Sequence, residues 1–335
     1  MSRPLVLITA PVPDNLRDQL DKHYATLDLP ADACLATAVE PRQAKHVCGI
    51  LCMATTPVNE QVLAHFPQLR VVSNFAVGFD NIDIDAATKR RILVCNTPGV
   101  LDAAVADLTI GLIISLSRDL VRGDAYVRDG SWEQAGPPPL TADIRGKTLG
   151  LLGMGRIGRE VARLAQAFNM PVLYHNRSPD HEADASGLAQ YCSRDTLFAQ
   201  ADFLSVHVPL TPQTRSSIGE HEFSLMKPSA YLVNTGRGAV INETALVTAL
   251  RTGQIAGAGL DVMAQEPLPA SHPFCKLPNV ILQAHVGSAT VETRHAMITL
   301  ATHNLLDALG NNRPQAMVNP HLLDSDAPSA QSETP

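Results

Sequence analysis

"KTLGLLGMGRIGREVARLAQAFNMPVLYHNRS", residues 147–178, decides the fold. A short apolar run (147–153) reads as a buried strand, and "RIGREVARLAQAF" (156–168) as an amphipathic helix. "PVLYHN" (171–176) reads as the next strand. Between the first two, "GMGRIG" sets Gly153, Gly155 and Gly158 in the spacing G-x-G-x-x-G. That spacing is weak evidence alone. Between a strand and a helix it is a dinucleotide fingerprint with a separate physical task for each glycine. Gly153 permits the tight turn, Gly155 lets the backbone approach a pyrophosphate, and Gly158 lets helix and strand pack closely. The helix start offers unpaired N–H groups and the positive dipole end to the anion.

The end of the second strand decides which dinucleotide. An NAD site usually places an acid there to accept hydrogen bonds from the adenosine ribose. This chain has Asn176, then Arg177 and Ser178. An acid repels a 2′-phosphate, whereas a neutral amide beside a guanidinium and a hydroxyl can hold one. The expected cofactor is NADP(H), with NAD(H) possible if Arg177 is only a solvated bystander.

Working outward, the same alternation continues in both directions. Upstream, "LVLITA" (5–10), "GILCMA" (49–54), "RVVSNF" (70–75) and "ILVCNT" (92–97) read as buried strands. "NEQVLAHF" (59–66) lies among them as a helix with Asn59 as its N-cap. Downstream come "DFLSVHV" (202–208), "AYLVNT" (230–235), "AGLDV" (258–262) and "VILQAH" (280–285), with a last helix over 291–309. Strand–helix alternation predicts α/β architecture: two Rossmann-like, doubly wound parallel-sheet domains separated by a cleft. "VLDAAVADLTIGLIISLSRDLV" (100–121) is expected to be one long buried connecting helix. "DGSWEQAGPPPL" (129–140), with the only Trp and three consecutive prolines, is expected to be an ordered arm or loop, not the interior of an element. The Ser-, Pro- and Ala-rich end, within 321–335, is expected to be a disordered tail.

Composition removes other classes. A chain of 335 residues has room for two cores. At 45% hydrophobic and 18% charged it is ordinarily globular. A net charge of −7 with no basic block speaks against nucleic acid. No apolar run is long enough to span a membrane. The six cysteines are scattered, and Cys48 and Cys52 lack a second pair at zinc-finger spacing. They read as reduced thiols of a cytoplasmic protein without a metal site.

Three further stretches end strands with chemistry. "VNTGRGAVI" carries Arg237, "GLDVMAQEPLP" carries Asp261 and Glu266, and "AHVGSAT" carries His285. Ligands of open parallel sheets sit beyond the strand carboxyl ends, where these residues would converge. An Arg, a carboxylate and a His suit hydride transfer to a 2-oxo acid. Arg holds the carboxylate and polarises the ketone, His donates the proton, and the acid keeps the His protonated. His207, in "SVHVPL", is a rival base.

These motifs resemble the D-isomer-specific 2-hydroxyacid dehydrogenases, most closely the glyoxylate/hydroxypyruvate and 2-ketogluconate reductase branch. The similarity runs through "VGFDNIDIDAATKRRILVCNTPGVL", "LLGMGRIGR", "HVPLTPQT", "VNTGRG", "GLDV…EPLP" and "HVGSAT", nearly the whole chain. It implies that Arg237, Glu266 and His285 are catalytic. It implies that the backbone of Val77 and Gly78 binds the substrate carboxylate together with Arg237 and His285. It adds cofactor contacts from Arg156, Ile157, Val208, Pro209, Thr214, Thr235, Gly236, Asp261, His285, Gly287 and Ser288. It also implies a split first domain (1–99 plus 286–320) for substrate, a dinucleotide domain (100–285), and a homodimer formed through the latter. Met53 and Phe79 are candidates for shaping the substrate pocket.

Departures carry information too. Asp107 stands where relatives usually have Glu, a conservative change. Val77 stands where related phosphite dehydrogenases carry Lys, which argues against phosphite. Ala135 replaces a second Trp found three residues beyond the one matching Trp132 in animal glyoxylate reductases, which implies room for larger substrates. Two rivals share the fold. One is a nucleotide-sensing corepressor acting through partners. The other is an NAD-linked enzyme that oxidises a D-2-hydroxyacid, such as a phosphoglycerate dehydrogenase, which Arg177 opposes.

Overall fold

The computed structural model describes residues 3–324. Its contacts divide the chain into two compact units, Met1–Leu101 with Val291–Pro335, and Asp102–Thr290. The breaks thus fall at 101/102 and 290/291, a few residues beyond the 99/100 and 285/286 expected from sequence.

The first unit is built on a five-stranded parallel sheet: β1 (Leu5–Ile8), β2 (Ala25–Asp28), β3 (Val47–Met53), β4 (Val71–Phe75) and β5 (Leu93–Cys95), in the order β2-β1-β3-β4-β5. β1, β4 and β5 are buried throughout, and β3 in all but its last residue, as strands covered on both faces must be. Asn59 caps the helix Glu60–His65, its side chain accepting from the Val62 N–H at 3.0 Å. The helix Val291–Leu309 belongs to this unit. Ser73 donates to the Ala301 carbonyl (2.7 Å) and Arg70 to that of Leu309 (3.0 Å), fixing it against β4.

The second unit holds seven parallel strands: β6 (Leu149–Leu152), β7 (Val172–His175), β8 (Gln190–Tyr191), β9 (Phe203–Val206), β10 (Tyr231–Asn234), β11 (Gly257–Leu260) and β12 (Val280–Leu282). Their order is β12-β11-β10-β9-β6-β7-β8. The chain leaves β6 toward β7 on one side and returns to β9 on the other, so the strand order reverses at β6.

Several expectations need correction. The connecting helix is not continuous over 100–121. It runs from Asp102 to Arg118 and breaks at Asp119, whose φ of 51° is left-handed, before a second helix, Leu120–Arg128. The 129–140 arm is not wholly irregular: Ser131–Ala135 forms a short helix between Gly130 and Gly136, both at positive φ. β12 ends at Leu282, so His285 lies beyond the strand. β2 and β8 were not expected; β2 is only half buried and β8 has two residues, so neither shows an apolar run. Within the expected tail, His321–Asp324 form a helical turn, and residues 325–335 lie outside the described residues.

Candidate active site

The three fingerprint glycines meet three different surroundings. Gly153 follows β6 with φ +105°, and a Cβ there would lie 2.8 Å from the backbone of His207, at the end of neighbouring β9. A Cβ on Gly158 would lie 2.3 Å from the carbonyl oxygen of Gly153. One therefore permits the turn and the other the close packing. A Cβ on Gly155 would meet nothing within 4 Å. Gly155 caps the helix Arg156–Ala167 without any side-chain hydrogen bond, so the first-turn amides look onto open space. A pyrophosphate fits that cradle, with the dipole end of the 12-residue helix beneath it. Arg156 is exposed and Ile157 half-buried at this end.

Asn176 follows β7 and ties the glycine turn down. Its Oδ1 accepts from the Met154 N–H (2.7 Å), and its Nδ2 donates to the Met154 carbonyl (3.3 Å). Arg177 and Ser178 stand exposed just beyond, with no partner among the described residues. Past β9, Thr214 donates to the Pro209 carbonyl at 2.6 Å and closes the turn that follows Val208. Past β10, the Thr235 hydroxyl lies 3.0 Å from that of Thr109, and the Gly236 N–H donates to Asn234 Oδ1 (3.0 Å).

Arg237 follows at once. Asn234, fully buried, also donates to the Arg237 carbonyl (3.0 Å), so one asparagine sets both sides of the turn. A Cβ on Gly238 would lie 1.9 Å from the Met263 backbone. Only glycine admits that approach, which packs the Arg237 turn against the segment carrying Glu266. Glu266 spends one oxygen on its own loop, Oε1 accepting from the Met263 N–H (2.9 Å). Oε2 meets His285 Nδ1 at 2.7 Å. Burial alone would raise the Glu266 pKa. The hydrogen bonds from His285 and Met263 and the charges of His285 and Arg237 outweigh it and hold the carboxyl below its usual range.

His285 has φ 55°, in the left-handed region. Such a conformation costs on the order of 1–3 kcal/mol and persists only where neighbours impose it. Asp261 supplies the constraint. It is 1% exposed. Its backbone carbonyl accepts from the His285 N–H (2.8 Å), and its carboxylate oxygens take the N–H groups of Val286 (2.7 Å) and Gly287 (2.9 Å). Ser288 follows in the same turn, half-buried. Asp261, expected as a cofactor contact, thus anchors the turn that carries His285. With Nδ1 on Glu266, His285 keeps Nε2 for a substrate, and its side chain is 44% exposed.

His207 differs. Its Nε2 lies 2.9 Å from the Ser205 hydroxyl and faces no carboxylate. Burial pushes its imidazole down to about 4. Burial thus disfavours the charged form that a proton donor needs. Val77 and Gly78 lie in the other unit, half-buried in the turn after β4. Sequence reading overlooked Asn234, Asp261's anchoring role, and Glu243, whose carboxylate takes the Ala264 N–H (2.8 Å). An Asn or Asp closing a buried strand just before glycine or catalytic residues was the available signal.

Cradle, anchored histidine and paired carboxylate together define an oxidoreductase that works with a nicotinamide dinucleotide. Residues 110–287 match the family model "D-isomer specific 2-hydroxyacid dehydrogenase, NAD binding domain". The glyoxylate reductase of Thermococcus litoralis is 41% identical, covering 97% of this chain and 100% of its own. Glyoxylate/hydroxypyruvate reductase B of Salmonella typhimurium is 41% identical over 95% of this chain and 98% of its own. Among solved structures, the NADPH-dependent glyoxylate/hydroxypyruvate reductase of Sinorhizobium meliloti, in complex with NADP and malonate, superposes with TM-score 0.86 at 36% identity, covering 95% and 98% of the two chains. The chain belongs to the D-isomer-specific 2-hydroxyacid dehydrogenases.

Proposed function

We propose that the protein reduces a small 2-oxo acid (glyoxylate, hydroxypyruvate or 2-ketogluconate) to the D-2-hydroxy acid, with NADPH as preferred reductant. The observation that carries this reading is the 2.7 Å His285–Glu266 pair, which leaves Nε2 free beside the Arg237 turn. A nicotinamide held in the glycine cradle would supply the hydride that the carbonyl carbon takes. His285 gives its Nε2 proton to the carbonyl oxygen, and Glu266 stabilises the charged ring and fixes its orientation. Arg237 holds and polarises the substrate. The amides of Val77 and Gly78 take its carboxylate.

For the cofactor, Arg177 and Ser178 are the groups that take the 2′-phosphate, and Asn176 keeps that place uncharged. Charge-assisted hydrogen bonds of this kind contribute about 1.5–3 kcal/mol each, enough for tenfold or more in preference. The apolar side chains of Leu120, Val121, Val127, Trp132 and Leu140 are exposed on the dinucleotide unit, which supports a homodimer through that unit. Initial rates of NADPH and NADH oxidation against each of the three acids test the whole reading. A clear NADPH preference on one of them is expected; no turnover with any pairing would overturn it.

A further inference from the structure

The turn after β4 shows a pattern that its sequence, "AVGF" (76–79), does not reveal. Three successive carbonyls are drawn into the fold by three different donors. The Thr97 N–H takes the Ala76 carbonyl at 2.9 Å. Asn96 Nδ2 takes that of Val77 at 2.8 Å, and Asn74 Nδ2 that of Gly78 at 2.8 Å. In a trans peptide the C=O and the following N–H point in opposite directions. Drawing those carbonyls inward therefore turns the N–H groups of Val77, Gly78 and Phe79 outward. None of the three donates to an acceptor among the described residues. Successive outward amides of this kind form an anion-binding concavity.

The two asparagines are placed for this by the sheet. Ser73 of β4 is registered with Cys95, the last residue of β5, so Asn74, still in β4, and Asn96, just past β5, lie one step further along two adjacent strands at their carboxyl ends. Both are buried, Asn74 completely. Each is held in turn. The side-chain amides of Asn74 and Asn81 bond to each other (3.3 and 3.4 Å), and the backbone carbonyl of Asn96 accepts from Asn304 Nδ2 (3.1 Å). The Asn74 amide is therefore held at both ends, and the backbone that carries the Asn96 amide is anchored.

We infer that Asn74 and Asn96 are positioning residues that build a three-amide carboxylate site from Val77, Gly78 and Phe79. The inference rests on the proposal that this turn binds the substrate carboxylate. It adds a third donor, Phe79 N–H, and the two side chains that aim all three. A neutral site of this kind recognises the carboxylate of any 2-oxo acid and is indifferent to what lies beyond it.

The test compares Asn96→Ala and Asn96→Leu with the wild type as full-length enzyme saturated with NADPH. Leu matches Asn in size but has no donor, so it serves where Ala perturbs folding. KM for glyoxylate and the inhibition constant of oxamate, a non-reducible 2-oxo acid isostere, should each rise about tenfold, the value of one charge-assisted hydrogen bond. Turnover at saturation and KM for the uncharged methyl ester of glyoxylate should stay within a factor of about two, well inside one such bond. Unchanged KM and inhibition constants would overturn the positioning role, as would an equal loss with the ester. Failure of the reductase reading would show separately, as no wild-type turnover of glyoxylate. Oxamate binding by calorimetry would then still decide the site, and Asn96→Leu must weaken it.

Discussion

The two units carry the same kind of sheet and arm its carboxyl edge in opposite ways. In the dinucleotide unit the edge bears ionisable groups: Arg237, Glu266 and His285, beside a glycine turn over a helix end. In the other unit the turn after β4 is shaped by neutral groups, Asn74 and Asn96 holding the backbone carbonyls of Gly78 and Val77. The first arrangement has the groups needed to carry charge and protons. The second offers fixed dipoles that do not titrate. Under the proposed function proton transfer rests on the first set alone, whereas the substrate carboxylate is shared between Arg237 and the amides of the second, so proton transfer and carboxylate binding can be tested separately.

The largest effect is expected at His285. In the proposed mechanism His285→Ala removes the proton donor, a contribution of about 10²–10⁴ in rate. Turnover should fall by that factor while NADPH binding, followed by nucleotide fluorescence, persists. Retained turnover would remove His285 from the mechanism.

Glu266→Gln sharpens the same comparison through pH. The Glu266 carboxyl is held below its usual range, so its pairing is fully present above the ordinary carboxylate pKa. It is lost only as pH falls through the lowered value. The wild type should therefore keep its paired state down to acid pH, whereas Gln cannot carry the charge at any pH. The variant should lose on the order of 10²-fold in kcat, at the low end of acid–base effects, with a displaced pH profile. An unmoved profile would mean that Glu266 only braces its loop through Met263.

The cofactor end should respond less. Arg177→Ala is expected to cut the NADPH-over-NADH ratio about tenfold, the worth of one charge-assisted bond. Asn176→Asp is the sharper variant. Its carboxylate can still accept from the Met154 N–H, so the glycine turn should stay intact while the added charge repels a 2′-phosphate. The ratio of kcat/KM values measures both. A preference indifferent to Arg177 would make it a bystander.

How far the sequence carried depended on whether a feature was local. The fingerprint was legible because strand, glycines and helix are contiguous. Asn59 was legible as a cap because its partner lies three residues on. Arg237, Glu266 and His285 could be named because each sits in a short motif near a strand end. What brings them together could not: the approach of Gly238 to Met263, and the grip of Asp261 on the turn at His285, join segments distant in sequence. β2 and β8 escaped because half-buried or two-residue strands leave no apolar run. The amide site after β4 is the extreme case, since its donors lie on the backbone and its determinants are neutral side chains elsewhere.

The smallest expected effect concerns His207, which shares the ionisable edge but not its chemistry. Its imidazole, pushed by burial down to about 4, stays neutral in the fold at pH values where an unfolded chain has protonated it. Between the ordinary histidine pKa and about 4 the unfolded state thus binds more protons. Stability contributed by the neutral ring is complete above that window and drains as pH falls through it. The limiting slope is about 1.4 kcal/mol per pH unit for one proton. His207→Gln can keep a hydrogen bond to the Ser205 hydroxyl and has no proton to gain. Urea midpoints measured at pH 7 and pH 5 should therefore fall less in the variant than in the wild type, with turnover at pH 7 nearly unchanged. Parallel losses would show that His207 is already free to titrate in the fold. A collapse of turnover would return it to the mechanism alongside His285.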